Sequence, residues 1–288
     1  MSKKMYVPDP IKNADALKKA IRFETFKKGK IEKELGGKKH DLQIRYNDKA
    51  FLDFLDNHII QSGVTGMRVY FACYPQKGDA DCNDEHVPKD HEGHLTLIFV
   101  ATNEVSLNDL KDIETYYIYK LVNPITKSYS FLPTQDKQQA KRWVDSYVKR
   151  IRNKHLDQDC ASGEDTNSVW YSIRSVTEMR QDIPKHPLYN NSISVFFSAY
   201  DANEPPIYAE VGKYQGGSGP QQRKDLPVSN QLGLIFGTGE TTDSFLGQSP
   251  KTGFWQRLKK IFFTDPADYD TGAPCPPAEG CSGSSLYP

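Results

Sequence analysis

"MRVYFACY" (Met67–Tyr74) and "ISVFFSAY" (Ile193–Tyr200) are the stretches whose reading decides the fold. Successive side chains of an extended chain point to opposite faces. Met67, Val69, Phe71 and Cys73 therefore share one face of the first stretch, and Arg68, Tyr70, Ala72 and Tyr74 share the other, with Arg68 its only charge. The same alternation returns 126 residues later. A nearly continuous apolar run follows each: "LTLIFV" (Leu95–Val100) and "LGLIFG" (Leu232–Gly237). Such runs are expected of strands covered on both faces.

The likeness extends upstream. An offset of 127 sets Ala16, Leu17, Ala20 and Ile21 against Trp143, Val144, Tyr147 and Val148, each set forming one stripe of a helix. The same offset sets "LQIRY" (Leu42–Tyr46) on "VWYSI" (Val169–Ile173). Matches in constant order indicate a tandem duplication of a helix–strand–helix–strand–strand unit. A lone hairpin is marginal in water, so helices must cover these strands. The expected fold is α+β, two similar halves packed together. Residues 1–112 are the first repeat, 113–135 an extended connection suited to an extra edge strand, and 136–247 the second repeat. An amphipathic helix is expected over 248–263, then a disordered tail over 264–288, rich in Pro, Gly and Ser.

Charge and cysteine content narrow the function classes. Lys plus Arg and Asp plus Glu both number 37, so net charge gives no general pull toward nucleic acid, and such a partner is not expected. Residues 1–40 carry twelve basic against five acidic side chains, the composition of a solvated helix face. "MSKKMYVPDP" lacks the apolar stretch of a secretory signal, and no run approaches the roughly 18 apolar residues of a membrane helix. A cytoplasmic protein is expected. Five scattered cysteines, an odd number, suit reduced thiols better than a disulfide frame.

The densest chemistry lies in "CNDEHVPKDHEGH" (Cys82–His94), which holds three of the seven histidines. Cys82, His86, His91 and His94 are candidate metal ligands, and zinc accepts both thiolate and imidazole. The spacing matches neither CxxC nor HExxH, and "HEGH" is one residue short of the latter. The loop at the same place in the second hairpin is eleven residues longer and contains neither His nor Cys. Any chemistry here therefore belongs to the first half alone. "GTGETT" (Gly237–Thr242) is not a phosphate loop, because Leu234 and Glu240 stand where Gly and Lys are required.

"GFWQRLKKIFF" (Gly253–Phe263) is the segment most suited to interaction. In a helix Phe254, Leu258, Ile261 and Phe262 share one face with Trp255 beside them, while Arg257, Lys259 and Lys260 occupy the rest. It suits docking on the protein's own core, on a protein partner, or on an anionic membrane surface.

The helix carrying "AKRWVDSYV", then "VWYSI", "ISVFFSAYD" and "LGLIFG", resembles a group of uncharacterised proteins from Bacteroidota-type bacteria. So do "GMRVYFACYP…LTLIFVATN" and the ending "YDTGAPCPPAEGC". The resemblance covers most of the chain and rests on strand patterns and a tail. It implies the α+β unit and no particular activity; the two-unit chain departs from the group's single-unit form. Taken together, the leading expectation is a non-enzymatic interaction module with a protein partner. A metal-binding protein or metal-dependent enzyme using the Cys82–His94 loop is the first alternative, and peripheral membrane association through Phe254–Phe263 the second.

Overall fold

The computed structural model describes residues 13–40, 43–82, 87, 89–106, 109–123, 128–134, 136–160, 163–185, 191–203, 207–211, 222–226, 229–238 and 273–275. Helix α1 (Asn13–Arg22) continues through a π-type segment, Phe23–Lys28, into α2 (Gly29–Glu34). Strand β1 (Gln43–Asn47) and helix α3 (Asp48–Phe54) follow, and then strands β2 (Gly66–Cys73), β3 (Leu95–Ser106), β4 (Asp109–Asn123) and β5 (Ser128–Pro133). The remainder comprises α4 (Lys137–Tyr147) with a π-type extension Val148–Leu156, β6 (Ser168–Ser172), α5 (Ile173–Asp182), β7 (Ser192–Ala199), β8 (Ile207–Val211), β9 (Gln222–Leu226), β10 (Leu232–Thr238) and β11 (Ala273–Cys275). The protein is α+β, as its pattern predicts.

The two apolar hairpins are built in one register. Cys73 lies opposite Leu95 in β2–β3, and Ala199 lies opposite Leu232 in β7–β10. These are the residues that the sequence matches to one another. Each hairpin then gains a strand from the far part of the chain. β6 pairs with β2, setting Tyr171 opposite Met67, and β1 pairs with β7, setting Tyr46 opposite Ile193. The sequence halves are therefore interleaved rather than set side by side. The sheets run β11-β6-β2-β3-β4-β5 and β1-β7-β10, with β8-β9 a separate pair. The connection between the halves contributes β5 and most of β4, so it widens the larger sheet by two strands rather than one.

Helices follow the same exchange. Trp143 of α4 meets Tyr74 edge-on at 5.7 Å, and Tyr147 stacks on Phe71 at 5.6 Å. In the other assembly Lys19 of α1 lies over Tyr200 at 4.0 Å, and Phe23 stacks on Phe197 at 5.5 Å. Lys19 thus stands where Trp143 does and Phe23 where Tyr147 does, three residues away from the helix alignment made on sequence. An apolar stripe recurs every three or four residues, so hydrophobic matching leaves a helix free to slip by one turn. The strands decide the true register. Helices α3 and α5 start alike, directly after the exchanged strands: the Asn47 side chain accepts from Ala50 N, and Ser172 from Ser175 N. Each satisfies an amide that the first helical turn leaves open.

One continuous core lies between the two sheets. It joins Met67, Val69, Phe71 and Cys73 to Ile193, Val195 and Phe197, with Phe51 and Phe54 of α3 and Met179 of α5 among them. The opposite face of β2 is also buried, with Tyr70, Ala72 and Tyr74 against Ala140, Trp143 and Val144. Arg68 on this face is fully buried beside Asp112 of β4 at 2.6 Å. Tyr70 donates its hydroxyl to the same carboxylate.

Three residues of the tail expected to be disordered form β11, with Cys275 opposite Ser168 on the outer edge of β6. The expected helix over 248–263, including Phe254, Trp255, Arg257, Leu258, Lys259, Lys260, Ile261 and Phe262, lies outside the described residues. Among the described residues no helix is long and apolar enough to cross a membrane.

Gly66 tests the β2–β6 contact. A Cβ there would stand 2.5 Å from both Trp170 Nε1 and the carbonyl oxygen of Tyr171. Gly66→Ala should lower the unfolding free energy by about 1–3 kcal/mol, the usual range for overpacking. Urea titration followed by tryptophan fluorescence measures the shift, and an unchanged midpoint would contradict this packing.

Candidate functional site

The chain enters β3 and β10 through the same backbone device. Gly93 (φ 79°) and Asn230 (φ 62°) adopt left-handed conformations. The carbonyls that follow, of His94 and Gln231, accept from Tyr74 N at 2.9 Å and Tyr200 N at 3.0 Å. The first amide of each strand is then taken by a side chain located just before an exchanged strand. Leu95 N donates to His40 Nε2 at 3.2 Å, and Leu232 N donates to Asp165 Oδ1 at 2.6 Å. His40 and Asp165 precede β1 and β6 by equal intervals. Two sites of equivalent position thus carry different chemistry.

The first site is a row of imidazoles. His40 stacks with His94 at 5.8 Å and His94 with His91 at 6.1 Å, and Tyr74 flanks His91 at 5.9 Å. Accepting the Leu95 amide fixes His40 Nε2 as unprotonated. His91 and His94, two of the four ligands anticipated from sequence, therefore meet. Their neighbour is His40, outside the anticipated loop. Cys82 is a half-buried free thiol, and His86 lies outside the described residues. Stacked rings point their nitrogens sideways, whereas a tetrahedral zinc site needs lone pairs converging on one point. Among the described residues no group of three or more His, Cys, Asp or Glu side chains is placed to hold a metal ion.

A cleft of about 270 Å3 opens beside this row, lined by Cys73, Asp79, Asp81, Arg142, Trp143 and Arg150 among others. Asp81 accepts two bonds from Arg142, at 2.9 and 2.8 Å, and one from Trp143 Nε1 at 3.2 Å. Arg150 donates to Gln76 Oε1 at 2.6 Å. These pairings hold the loop after β2 against α4. Burial pushes the Cys73 thiol up to about 12, so it carries almost no thiolate and is a poor nucleophile.

The second site is a buried charge cluster. Lys27 Nζ lies 2.8 Å from Asp165 Oδ2, 3.6 Å from Asp159 Oδ2 and 3.9 Å from Cys160 Sγ. The Lys27 and Asp165 side chains are 2% and 0% exposed. Asp165 also accepts from Thr166 N at 2.7 Å. Burial raises the Asp165 carboxyl above its ordinary range despite these donors. Burial acts on Lys27 in the opposite sense to its neighbours, and Asp165, Cys160 and Asp159 together prevail, so the ammonium is held above its usual value. The Cys160 thiol is pushed up, first by burial and then by Asp165. Nothing local in the sequence marks this cluster, because its partners lie 133 and 138 residues apart.

Glu34 of α2 binds the π-type extension of α4 near the first site, through Lys154 and His155, each at 3.2 Å. Burial raises its carboxyl, but the bonds from His155 and Lys154 outweigh burial and hold it below 4.5. An acid depressed by folding adds stability above its unfolded pKa, and that stability is lost as pH falls through the folded value. Glu34→Gln should therefore cost about 0.5–1 kcal/mol at pH 7. The deficit should shrink toward zero in acid, well below pH 4.5. Urea unfolding of both proteins at each pH measures it; a pH-independent deficit would exclude the ionic contribution.

Comparisons of this chain with protein-family models, with curated proteins and with solved structures give no match.

Proposed function

We propose that this protein is a non-catalytic interaction module, built by tandem duplication of one helix–strand–helix–strand–strand unit, that takes up extended protein segments on a sheet edge. The pairing of β11 with β6 carries this reading. A short segment from far along the chain adds to an exchanged strand in antiparallel register, which is the geometry of β-strand addition. In that mode the main chain supplies affinity and alternate side chains supply selectivity.

The duplication is supported by several correspondences. The hairpin registers agree residue for residue. Equivalent caps follow β1 and β6, and His40 and Asp165 bind equivalent amides. Dissimilar loops enter β3 and β10, as expected where a fixed framework carries freely varying connections. The aromatic and basic segment Phe254–Phe262 supplies a second contact for a protein partner in this proposal. Kinship with the Bacteroidota-type group belongs to the same reading, carried by the strand motifs and the Cys-Pro-Pro tail. A cytoplasmic location accords with the free thiols of Cys73, Cys82 and Cys160.

The test is direct. A labelled peptide spanning residues 270–280 should bind saturably to a chain ending at residue 263, as read by fluorescence anisotropy. The full-length chain, with its own tail on β6, should bind it at least tenfold more weakly, about 1.4 kcal/mol of competition. A peptide that ignores both proteins, or binds no better than its scrambled form, would remove the support for strand addition.

A further inference from the structure

Cys160 differs from the other described thiols in having a primary amine against it. Its sulfur lies 3.9 Å from Lys27 Nζ, and Asp165 Oδ2 holds the same nitrogen at 2.8 Å. All three groups are buried. The sulfur also faces two carbonyl oxygens, of Leu156 at 3.6 Å and Asn230 at 3.5 Å. Amine, thiol and a proton-accepting carboxylate are therefore assembled in one buried site between the π-type segment after α1 and the turn that precedes β6.

We propose that Lys27 and Cys160 form a covalent modification site, in which dioxygen joins Nζ to Sγ through a single oxygen atom. One N–O and one O–S bond form and the dioxygen bond breaks. Nitrogen and sulfur together give up four electrons, and dioxygen takes them. One oxygen atom becomes the bridge and the other leaves as water. The Lys27 ammonium releases two protons and the Cys160 thiol one; two enter the water and the third passes to Asp165. The step begins with one positive and one negative group and ends with neither, so no uncompensated charge is left buried.

The surroundings favour this product over the usual fates of a thiol. Burial and Asp165 keep the sulfur protonated, which slows exchange with disulfides, and burial of all three groups favours a small uncharged oxidant over a large or charged one. An oxygen bridge asks for a smaller approach of nitrogen and sulfur than a direct S–N bond does. Asp165, whose carboxyl burial raises above its ordinary range, is suited to receive a proton when the Lys27 charge disappears. The bridge would link residues 133 positions apart and so restrain the unfolded chain as a long-range disulfide does.

Full-length protein kept under argon with reductant and the same protein held in air-saturated buffer can be digested without reduction and compared by mass spectrometry. The expected product is a linked pair of peptides, one with Lys27 and one with Cys160. Its mass equals their sum plus one oxygen less two hydrogens. It should be absent under argon, disappear on treatment with a thiol reductant, and accompany a higher urea midpoint. Lys27→Arg keeps the charge beside Asp165 but lacks the primary amine, and Cys160→Ala lacks the sulfur; neither should give the product. If a variant does not fold, the wild-type spectra alone decide. Oxygen on Cys160 alone, a link without the oxygen atom, or a thiol still fully titratable after prolonged aeration would each overturn the proposal.

Discussion

Strand β2 is hydrogen-bonded along both edges, to β3 of its own hairpin and to β6 from the far half of the chain. Strand β7 stands in the same relation to β10 and β1. This reciprocal pairing is the constraint on which the other features depend. Unpaired amides and carbonyls are costly once buried, and both central strands are buried along their whole length. The free edge of each hairpin's first strand is not completed by the strand that precedes it in sequence, because that strand is committed to the other sheet. The helices follow: α4 is drawn onto the hairpin of the first half and α1 onto that of the second. The single core between the sheets results, and with it the placing of His40 and Asp165 at matching strand entrances.

Two charged side chains enclosed by this interleaving, Arg68 and Lys27, each meet an opposite charge. Arg68 and Asp112 sit in contact with no exposed side-chain surface, as do Lys27 and Asp165 apart from a trace on the lysine. Breaking such a pair by removing one partner typically costs about 3–5 kcal/mol, since the remaining charge is stranded. Replacing both partners with apolar groups is often neutral. These pairs therefore contribute less to total stability than to the choice of arrangement. Asp112 meets Arg68 only where β4 is shifted against β3 between Val100 and Thr102, and Lys27 meets Asp165 only if the first helix crosses to the second hairpin. A misplaced β4 or α1 would leave an arginine or a lysine buried without its counter-charge.

Much of the framework was legible in the residues. The alternation Met67, Val69, Phe71, Cys73 identifies the core face of β2, and the corresponding alternation identifies that of β7. The near-continuous apolar runs mark β3 and β10 as strands covered on both faces, and the pairing of the hairpins follows. The exchange of β1 and β6 was not legible, because period-two patterning reports which face a side chain takes and says nothing of which edge a strand joins. The helix correspondence slipped by one turn for a related reason: "ALKKAI" and "WVDSYV" are both amphipathic, and only Lys19 on Tyr200 beside Trp143 on Tyr74 fixes their register. Among the candidate ligands, His91 and His94 meet, but their third neighbour, His40, comes from before β1. The Lys27–Asp165–Cys160 cluster joins one helical segment to a turn 133 to 138 residues further along, and no spacing rule could have found it.

Interleaving also fixes how the molecule should respond to being cut. A protease site inserted between Thr134 and Asp136 falls after β5 and before α4, separating the two sequence halves without touching a strand. After cleavage in native buffer the pieces should elute together and unfold in one cooperative urea transition, because each of the two larger sheets holds strands from both. Two pieces that separate without denaturant, each folded and each with its own transition, would contradict the exchange of β1 and β6 and the fold built on it.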